Sequence, residues 1–504
     1  MSKPASLRRD IFVNYASQVY VALIGIAMVP LYLKYMGIEA YGLVGFFAVV
    51  QAWSQVLDFG LSQTLGREAA KLNAGVTTVE SLNMLLRLLE IILGVLGVAI
   101  IALSWTLGFW VADSWLKLDA LDPADVARCV GVVGIVLGLR LVSGVYRGGL
   151  LGLEHQVSAN AIAAAVATLR SVVVVPILIW VSNSILAFFF FQLVVAVAEG
   201  VLLRAVLRRF LPGGPARKFQ WEVLKEPIRF GRGLAFLTCM WVAVSQGDKL
   251  ILSHMLPMQE YGGFILATTI ALGTILVVSP LQQAVLPRLI VLAEQKEHAK
   301  LVQLYRKTTI LLVAMLAGFG GVMVAFPAQV LYAWTGDVKA ASQAAEVLRW
   351  YAAGTSFMGA AAMSYLLQHA HGDLRLHIKG NLVCLFILIP AVIFSTLYYG
   401  AVGAAMAWAT TNLFFLLCWT PIVHGKFLPE IRTAWLFRDV LPALAIASTL
   451  VLLSRQIAWP LASRVVSTLG LGSLALLVIA AALLVHFETR QLLLDLLRKI
   501  GKYA

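Results

Sequence analysis

Gly37-Ile38-Glu39-Ala40-Tyr41-Gly42 opens a stretch, Met36 to Leu72, that runs through an apolar segment to Leu57-Asp58-Phe59-Gly60-Leu61-Ser62. The stretch occurs twice. A shift of 220 residues places Tyr41-Gly42 on Tyr261-Gly262, Gly60 on Pro280, Gln63 on Gln283 and Arg67-Glu68 on Pro287-Arg288. The same shift carries Arg87 onto Lys307 and Gly152 onto Gly372. The register holds over about 200 residues, so the chain reads as two related halves. In a membrane protein such a repeat points to a transporter with its site between the halves.

The surroundings of that stretch are those of a membrane protein. Apolar residues make up 61% of the chain and charged residues 13%, about half the charge of an ordinary soluble domain. No charged residue occurs in 171–198, 308–336 or 380–425, and runs of this kind cross bilayers. Fourteen spans are expected, near 11–33, 41–63, 84–110, 127–150, 157–181, 184–206, 229–253, 261–287, 306–333, 346–369, 377–398, 401–423, 437–457 and 468–487. Turns as short as Ser182-Asn183-Ser184 and Tyr398-Tyr399-Gly400 require antiparallel neighbours. The first apolar segment lacks a small-residue cleavage site and counts as a span.

The net charge of +14 does not indicate nucleic acid, because the basic residues alternate from gap to gap. With the N-terminus in the cytoplasm, cytoplasmic gaps hold 27 Lys and Arg. The opposite gaps hold seven: Lys34, Lys117, Arg128, Lys339, Arg349, Arg455 and Arg464. This asymmetry follows the positive-inside rule and puts both termini in the cytoplasm. The gap at 210–228, with Pro212-Gly213-Gly214-Pro215, reads as a cytoplasmic linker between six-helix lobes at 1–209 and 229–425. Residues 426–504 supply two further spans and a tail. Cys129, Cys239, Cys384 and Cys418 lie inside apolar segments without metal-binding spacing and read as packing residues. His369, His371 and His377 read as a solvated loop; neither metal nor cofactor is expected.

Five basic residues remain inside spans: Arg87, Arg140, Arg147, Arg170 and Lys249, beside the acidic Asp58, Glu90, Glu199 and Asp248. Each charge at the bilayer centre costs roughly 2.5–3.5 kcal/mol on insertion scales, so a group of them needs water or opposite charge. Periodicity favours a cavity. Gln51, Gln55, Asp58 and Ser62 form one stripe of span two, and Arg140, Ser143 and Arg147 share a face of span four. Thr238, Ser245 and Lys249 repeat the pattern in span seven, and Asn14, Ser17, Gln18 and Gly25 do so in span one. Structural alternatives stand beside this reading. Arg87 and Glu90 are spaced for an intrahelical ion pair, Asp248-Lys249 for interfacial snorkelling, Asp58 for capping or kinking, and the Gln/Ser stripe for helix–helix hydrogen bonds. The excess of deep arginine suits phosphate oxygens better than a cationic drug.

Leu7-Arg8-Arg9-Asp10-Ile11-Phe12-Val13-Asn14-Tyr15-Ala16-Ser17, then Pro30 through Gly42, then Leu57-Asp58-Phe59-Gly60-Leu61 resemble the polysaccharide transporter family. These are the Wzx-type O-antigen and capsule flippases of the multidrug/oligosaccharidyl-lipid/polysaccharide exporter superfamily. The resemblance is densest over 7–72. It implies an all-α polytopic protein of two six-helix lobes in a V plus two C-terminal helices. It also implies transfer of polyprenyl-pyrophosphate-linked O-antigen, capsule or exopolysaccharide units across the bacterial inner membrane, not enzymatic catalysis. Arg140, Arg147 and Arg170 would hold the pyrophosphate on chemistry and depth. Asp58, Gln51, Gln55, Glu90, Arg87, Glu199, Asp248 and Lys249 would supply polar walls or ion coupling. The last two helices would form a lipid-tail groove, and a polysaccharide polymerase and a chain-length regulator are the implied partners. A multidrug extruder and a peptidoglycan-precursor flippase of the same superfamily stay open as alternatives. A membrane glycosyltransferase is disfavoured, because the short acidic gap with Asp113, Asp119, Asp122 and Asp125 has no basic counterpart.

Overall fold

The computed structural model describes residues 7–211, 222–456 and 463–485. Most of the expected linker, the Pro212–Pro215 stretch included, and the basic C-terminal tail lie outside them. The described residues are helical throughout: α1 (Leu7–Ser54), α2 (Leu61–Asn73), α3 (Val79–Trp110), α4 (Pro123–Gly152), α5 (Gln156–Thr168), α6 (Val174–Trp180), α7 (Ile185–Phe210), α8 (Glu222–Met255), α9 (Met258–Glu294), α10 (His298–Ala325), α11 (Pro327–Thr335), α12 (Val338–Ala370), α13 (Arg375–Phe414), α14 (Thr420–Phe427), α15 (Leu441–Ser454) and α16 (Arg464–Val485). Ten described stretches are long and apolar enough to span a membrane. Two of them, beginning in α1 and α13, each hold two expected spans, and α8 and α12 occupy the remaining ones.

The joints lie where the backbone leaves helical space. In α1 the break is Gly37 (φ 84°, ψ 171°) and in α13 it is Gly400 (φ 56°, ψ −142°), conformations natural only to glycine. Other spans are more broken than their hydropathy suggests. Span two does not run unbroken from 41 to 63. A 3₁₀ turn, Gln55–Asp58, follows α1, and Phe59 (φ 48°) and Gly60 (φ 71°) reverse the backbone before α2 begins. Gln51, Gln55, Asp58 and Ser62 therefore do not form one helical stripe. Span five contains a π-turn, Leu169–Val173, and span nine divides at Phe326-Pro327.

The chain forms two compact units, Met1–Gly262 and Gly263–Ala504. In the first, α3 and α4 approach closely because Gly97 faces Gly138; a Cβ on Gly138 would lie 3.0 Å from the Gly97 carbonyl oxygen. Backbones meeting through small residues are a usual membrane solution, since lipid supplies no hydrophobic drive between helices. The same constraint leaves Ile91, Val95 and Val98 of α3 more than 60% exposed, a surface suited to lipid. At the α3–α4 connection, Glu39 accepts from the backbone N–H groups of Asp119 (2.8 Å), Ala120 (2.9 Å) and Leu121 (3.3 Å). Lys117 Nζ donates to the Met255 carbonyl at 2.8 Å. One loop thus ties the Gly37 turn to the end of α8.

In the second unit a polar network is sealed into the core. Arg306 of α10 donates to both carboxylate oxygens of Asp439 (Nε 2.9 Å, Nη2 2.7 Å), and Asp439 has no exposed surface. Beside it Tyr305 and His424 share a 2.7 Å hydrogen bond, and Trp435 Nε1 donates to Thr309 Oγ1 at 3.3 Å. Arg306, counted from sequence among the loop charges, thus secures the start of span thirteen to α10. Arg306→Met should destabilise this unit by about 3–5 kcal/mol, since Asp439 is left as an uncompensated buried charge. Arg306→Met/Asp439→Leu should recover most of that loss, as read by thermal unfolding in detergent.

Candidate functional site: an arginine-lined cavity in the first unit

A cavity of about 570 Å³ opens within the first unit. Its walls are assembled where helices are irregular. The 3₁₀ turn presents Gln55 and Asp58, the π-turn presents Arg170, and α4 supplies Arg140 and Arg147 seven residues apart. Glu199 of α7 and Thr238 of α8 line it as well. Three guanidinium groups face two carboxylates, leaving one excess positive charge.

Each polar group has a structural reason to be where it is. Asp58 accepts the Ser62 hydroxyl at 2.6 Å and the Ser62 backbone N–H at 3.3 Å. It thus satisfies an orphan donor at the start of α2, where helix N-termini favour a carboxylate. Arg140 donates to the Gln51 side-chain oxygen, and its charge is coupled unfavourably to Arg170 and favourably to Glu199. Ser17 Oγ donates to the Asn160 carbonyl at 3.2 Å. The Asn160 amide nitrogen is buried without an acceptor in the protein and remains a donor in the cavity wall.

The π-turn decides where Arg170 points. A π-turn inserts a residue and loosens the carbonyl ladder. The Arg170 carbonyl accepts from Gln192 Nε2 at 3.2 Å and the Ser171 carbonyl from the Tyr32 hydroxyl at 2.8 Å. Both supports come from other helices, α7 and α1.

A second chamber of about 360 Å³ adjoins the first. The two share Gln51, Gln55, Arg140 and Arg170 in their linings. Beyond that shared border the side chamber is walled mainly by Phe47, Phe188, Phe189 and aliphatic residues.

Of the residues singled out from sequence, Arg140, Arg147, Arg170, Asp58, Gln51, Gln55 and Glu199 come together in the large cavity. Arg87, Glu90, Asp248 and Lys249 are not in its lining. Glu90 instead receives the Tyr146 hydroxyl at 2.8 Å and meets Arg204 and Arg208 of α7 at 3.6 and 3.7 Å. It clamps α3, α4 and α7 together. Asp248 and Lys249 do not snorkel. They are 2% and 5% exposed and paired at 3.2 Å, with Lys249 also donating to the Ser245 carbonyl at 3.0 Å. Tyr32, Asn160 and Gln192 escaped the sequence reading. Asn160, Ala163, Ala167 and Arg170 follow one another at helical spacing along the wall, a small-and-polar face that could have revealed Asn160.

With the fold and cavity described, comparison with known proteins is informative. The family model described as "Polysaccharide biosynthesis protein" matches residues 7–293, more than half of the chain. The chain belongs to that family. No curated protein matches it at a significant level. Among solved structures, this polysaccharide biosynthesis family member is similar to an inward-facing multidrug resistance MATE family transporter of the MOP superfamily. The TM-score is 0.69 at 14% identity, covering 83% of this chain and 96% of the transporter. It is also similar to the lipid II flippase MurJ in an inward closed conformation, with TM-score 0.67 at 12% identity, covering 96% of this chain and all of the flippase. A MOP superfamily transporter from Pyrococcus furiosus matches with TM-score 0.55 at 15% identity, covering 82% of this chain and 95% of that one. At these identities the likeness concerns the fold: the family member is a multi-pass membrane protein with a MOP-type transporter fold.

Asp58→Ala should destabilise the start of α2 by about 1 kcal/mol, the usual effect of removing a helix N-terminal acceptor. Asp58→Asn, which keeps an acceptor oxygen, should lose less. Thermal unfolding of the purified variants checks this, and equal stability of all three proteins would show that Asp58 does not secure the helix.

Proposed function

We propose that this protein is a flippase. It moves a polyprenyl-pyrophosphate-linked oligosaccharide, the repeat unit of O-antigen, capsule or exopolysaccharide, from the cytoplasmic to the opposite leaflet of the bacterial inner membrane. Transport proceeds by alternating access with both termini cytoplasmic, and a polymerase and a chain-length regulator act on the delivered unit. The observation that carries this reading is the convergence of Arg140, Arg147 and Arg170 on one cavity with only Asp58 and Glu199 opposing them. Guanidinium forks match phosphate oxygens in pairs and keep their charge at any physiological pH. Amide and hydroxyl groups of Gln51, Gln55, Ser62 and Thr238 in the same lining suit sugar hydroxyls.

The energetics favour an anion moving outward. A negative charge leaving a negative-inside cell gains roughly 2.3 kcal/mol per 100 mV. Arg140→Ala should lower surface glycan export at least tenfold with normal membrane abundance of the protein. Arg140→Lys should recover only part, because an ammonium cannot fork. In a deletion strain fed radiolabelled sugar, short pyrophosphate-linked units should accumulate on the cytoplasmic side. Unimpaired surface polymer would overturn the proposal.

A second reading, a multidrug extruder, is favoured by one feature: the two carboxylates, Asp58 and Glu199, in the same cavity suit a cation. It requires altered drug tolerance in the deletion strain with intact surface glycan. A peptidoglycan-precursor flippase would share the arginine chemistry, and it requires lysis on depletion.

A further inference from the structure

We propose that the 360 Å³ side chamber seats the sugar ring bonded directly to the pyrophosphate, so that the protein selects its substrate by the first sugar of the glycan. The inference rests on the flippase reading and deepens it. Arg140 and Arg170 belong to the walls of both chambers, so an anion gripped by the pair lies at their common border. One bond beyond a pyrophosphate in such a substrate there is either a sugar or a prenyl carbon. A polyprenyl chain is many times longer than this chamber and has the bilayer available to it. The sugar is the part of matching size.

The wall chemistry agrees. Ligand sites of some 300–1,000 Å³ typically combine apolar and aromatic walls with a few placed polar groups. Here Phe47 and Phe189 meet edge to face (centroids 4.7 Å, 84°), as do Phe188 and Phe189 (5.3 Å, 87°). The cluster is held rigid by these contacts and by Tyr32, whose ring meets Phe188 at 5.5 Å while its hydroxyl is committed to the Ser171 carbonyl. Rigid aromatic walls can lie against the C–H surface of a pyranose. The hydroxyl rim then needs amides, and Gln51, Gln55 and Gln192 provide them. Gln192 donates to the Arg170 carbonyl at 3.2 Å, which leaves its side-chain oxygen to accept from a sugar hydroxyl. Ala48 and Ala52, one helical turn apart on α1, leave the space open.

The test uses the full-length protein in lipid nanodiscs and measures binding of farnesyl pyrophosphate, bare or carrying one sugar: N-acetylglucosamine, N-acetylgalactosamine, glucose or galactose. At least one sugar should tighten binding tenfold or more over the bare probe. Ala48→Phe and Ala52→Phe, which fill the chamber, should abolish that gain while leaving the affinity for bare farnesyl pyrophosphate within twofold of wild type. The proposal is overturned if no sugar tightens binding to the wild-type protein, a result that needs no variant to fold. It is equally overturned if the gain survives both filled variants. Failure of the flippase reading looks different: bare farnesyl pyrophosphate would then bind no more weakly to Arg140→Ala than to wild type.

Discussion

Everything at the site depends on keeping guanidinium groups inside a membrane protein. Arg140, Arg147 and Arg170 belong to helices whose other faces are apolar, and hydrocarbon does not tolerate their charge. The protein answers by hollowing out its first unit and lining the hollow with acceptors. Gln51 takes an Arg140 proton, Glu199 lowers the local potential, and Asp58 adds a second negative charge. The acidic groups do not neutralise the basic ones, and the remainder is what draws an anion. Specific recognition of phosphate follows from the same imbalance that makes the empty cavity electrostatically tense.

A hollow of this kind cannot be built from unbroken helices. Non-helical backbone at membrane depth is tolerated where it is enclosed by protein or lines a wet cavity. Both irregularities at this site fit that condition. The reversal at Phe59-Gly60 would leave the first amides of α2 bare, and Asp58 closes over one of them. The π-turn loosens two carbonyls, and Gln192 and Tyr32 close over those. The residues that repair the backbone also line the chambers, so the repair and the site are one construction.

The span pattern was legible because hydropathy and charge asymmetry are properties of composition. Gly37 and Gly400 mark their turns for a plain stereochemical reason. The cavity was legible where polarity interrupts an apolar helix, as at Arg140, Asp58 and Glu199. What was hidden was geometry that no residue type announces. Nothing about phenylalanine predicts the left-handed backbone at Phe59, and Leu57 to Leu61 reads as helix continuing. Arg170 gives no sign of a π-turn, because the turn is set by Tyr32 and Gln192, 138 and 22 residues away in sequence. The pair Asp248-Lys249 has the look of an interfacial charge, and only tertiary packing reveals that it is sealed in. Phe188 and Phe189, inside a run of four phenylalanines, look like lipid-facing residues until the fold turns them inward.

The Arg306–Asp439 pair bears on how such a protein is made. Its partners are 133 residues apart in sequence. At about 5–20 residues per second of synthesis, the arginine is produced on the order of ten seconds before its carboxylate exists. During that interval Arg306 can be held at the aqueous edge of the membrane but not in its final seat. The second unit therefore has no complete core until the thirteenth span has emerged and docked. A chain cut short after the twelfth span would present quality-control proteases with an arginine that has nowhere to go, which makes the C-terminal pair of helices a checkpoint for completion.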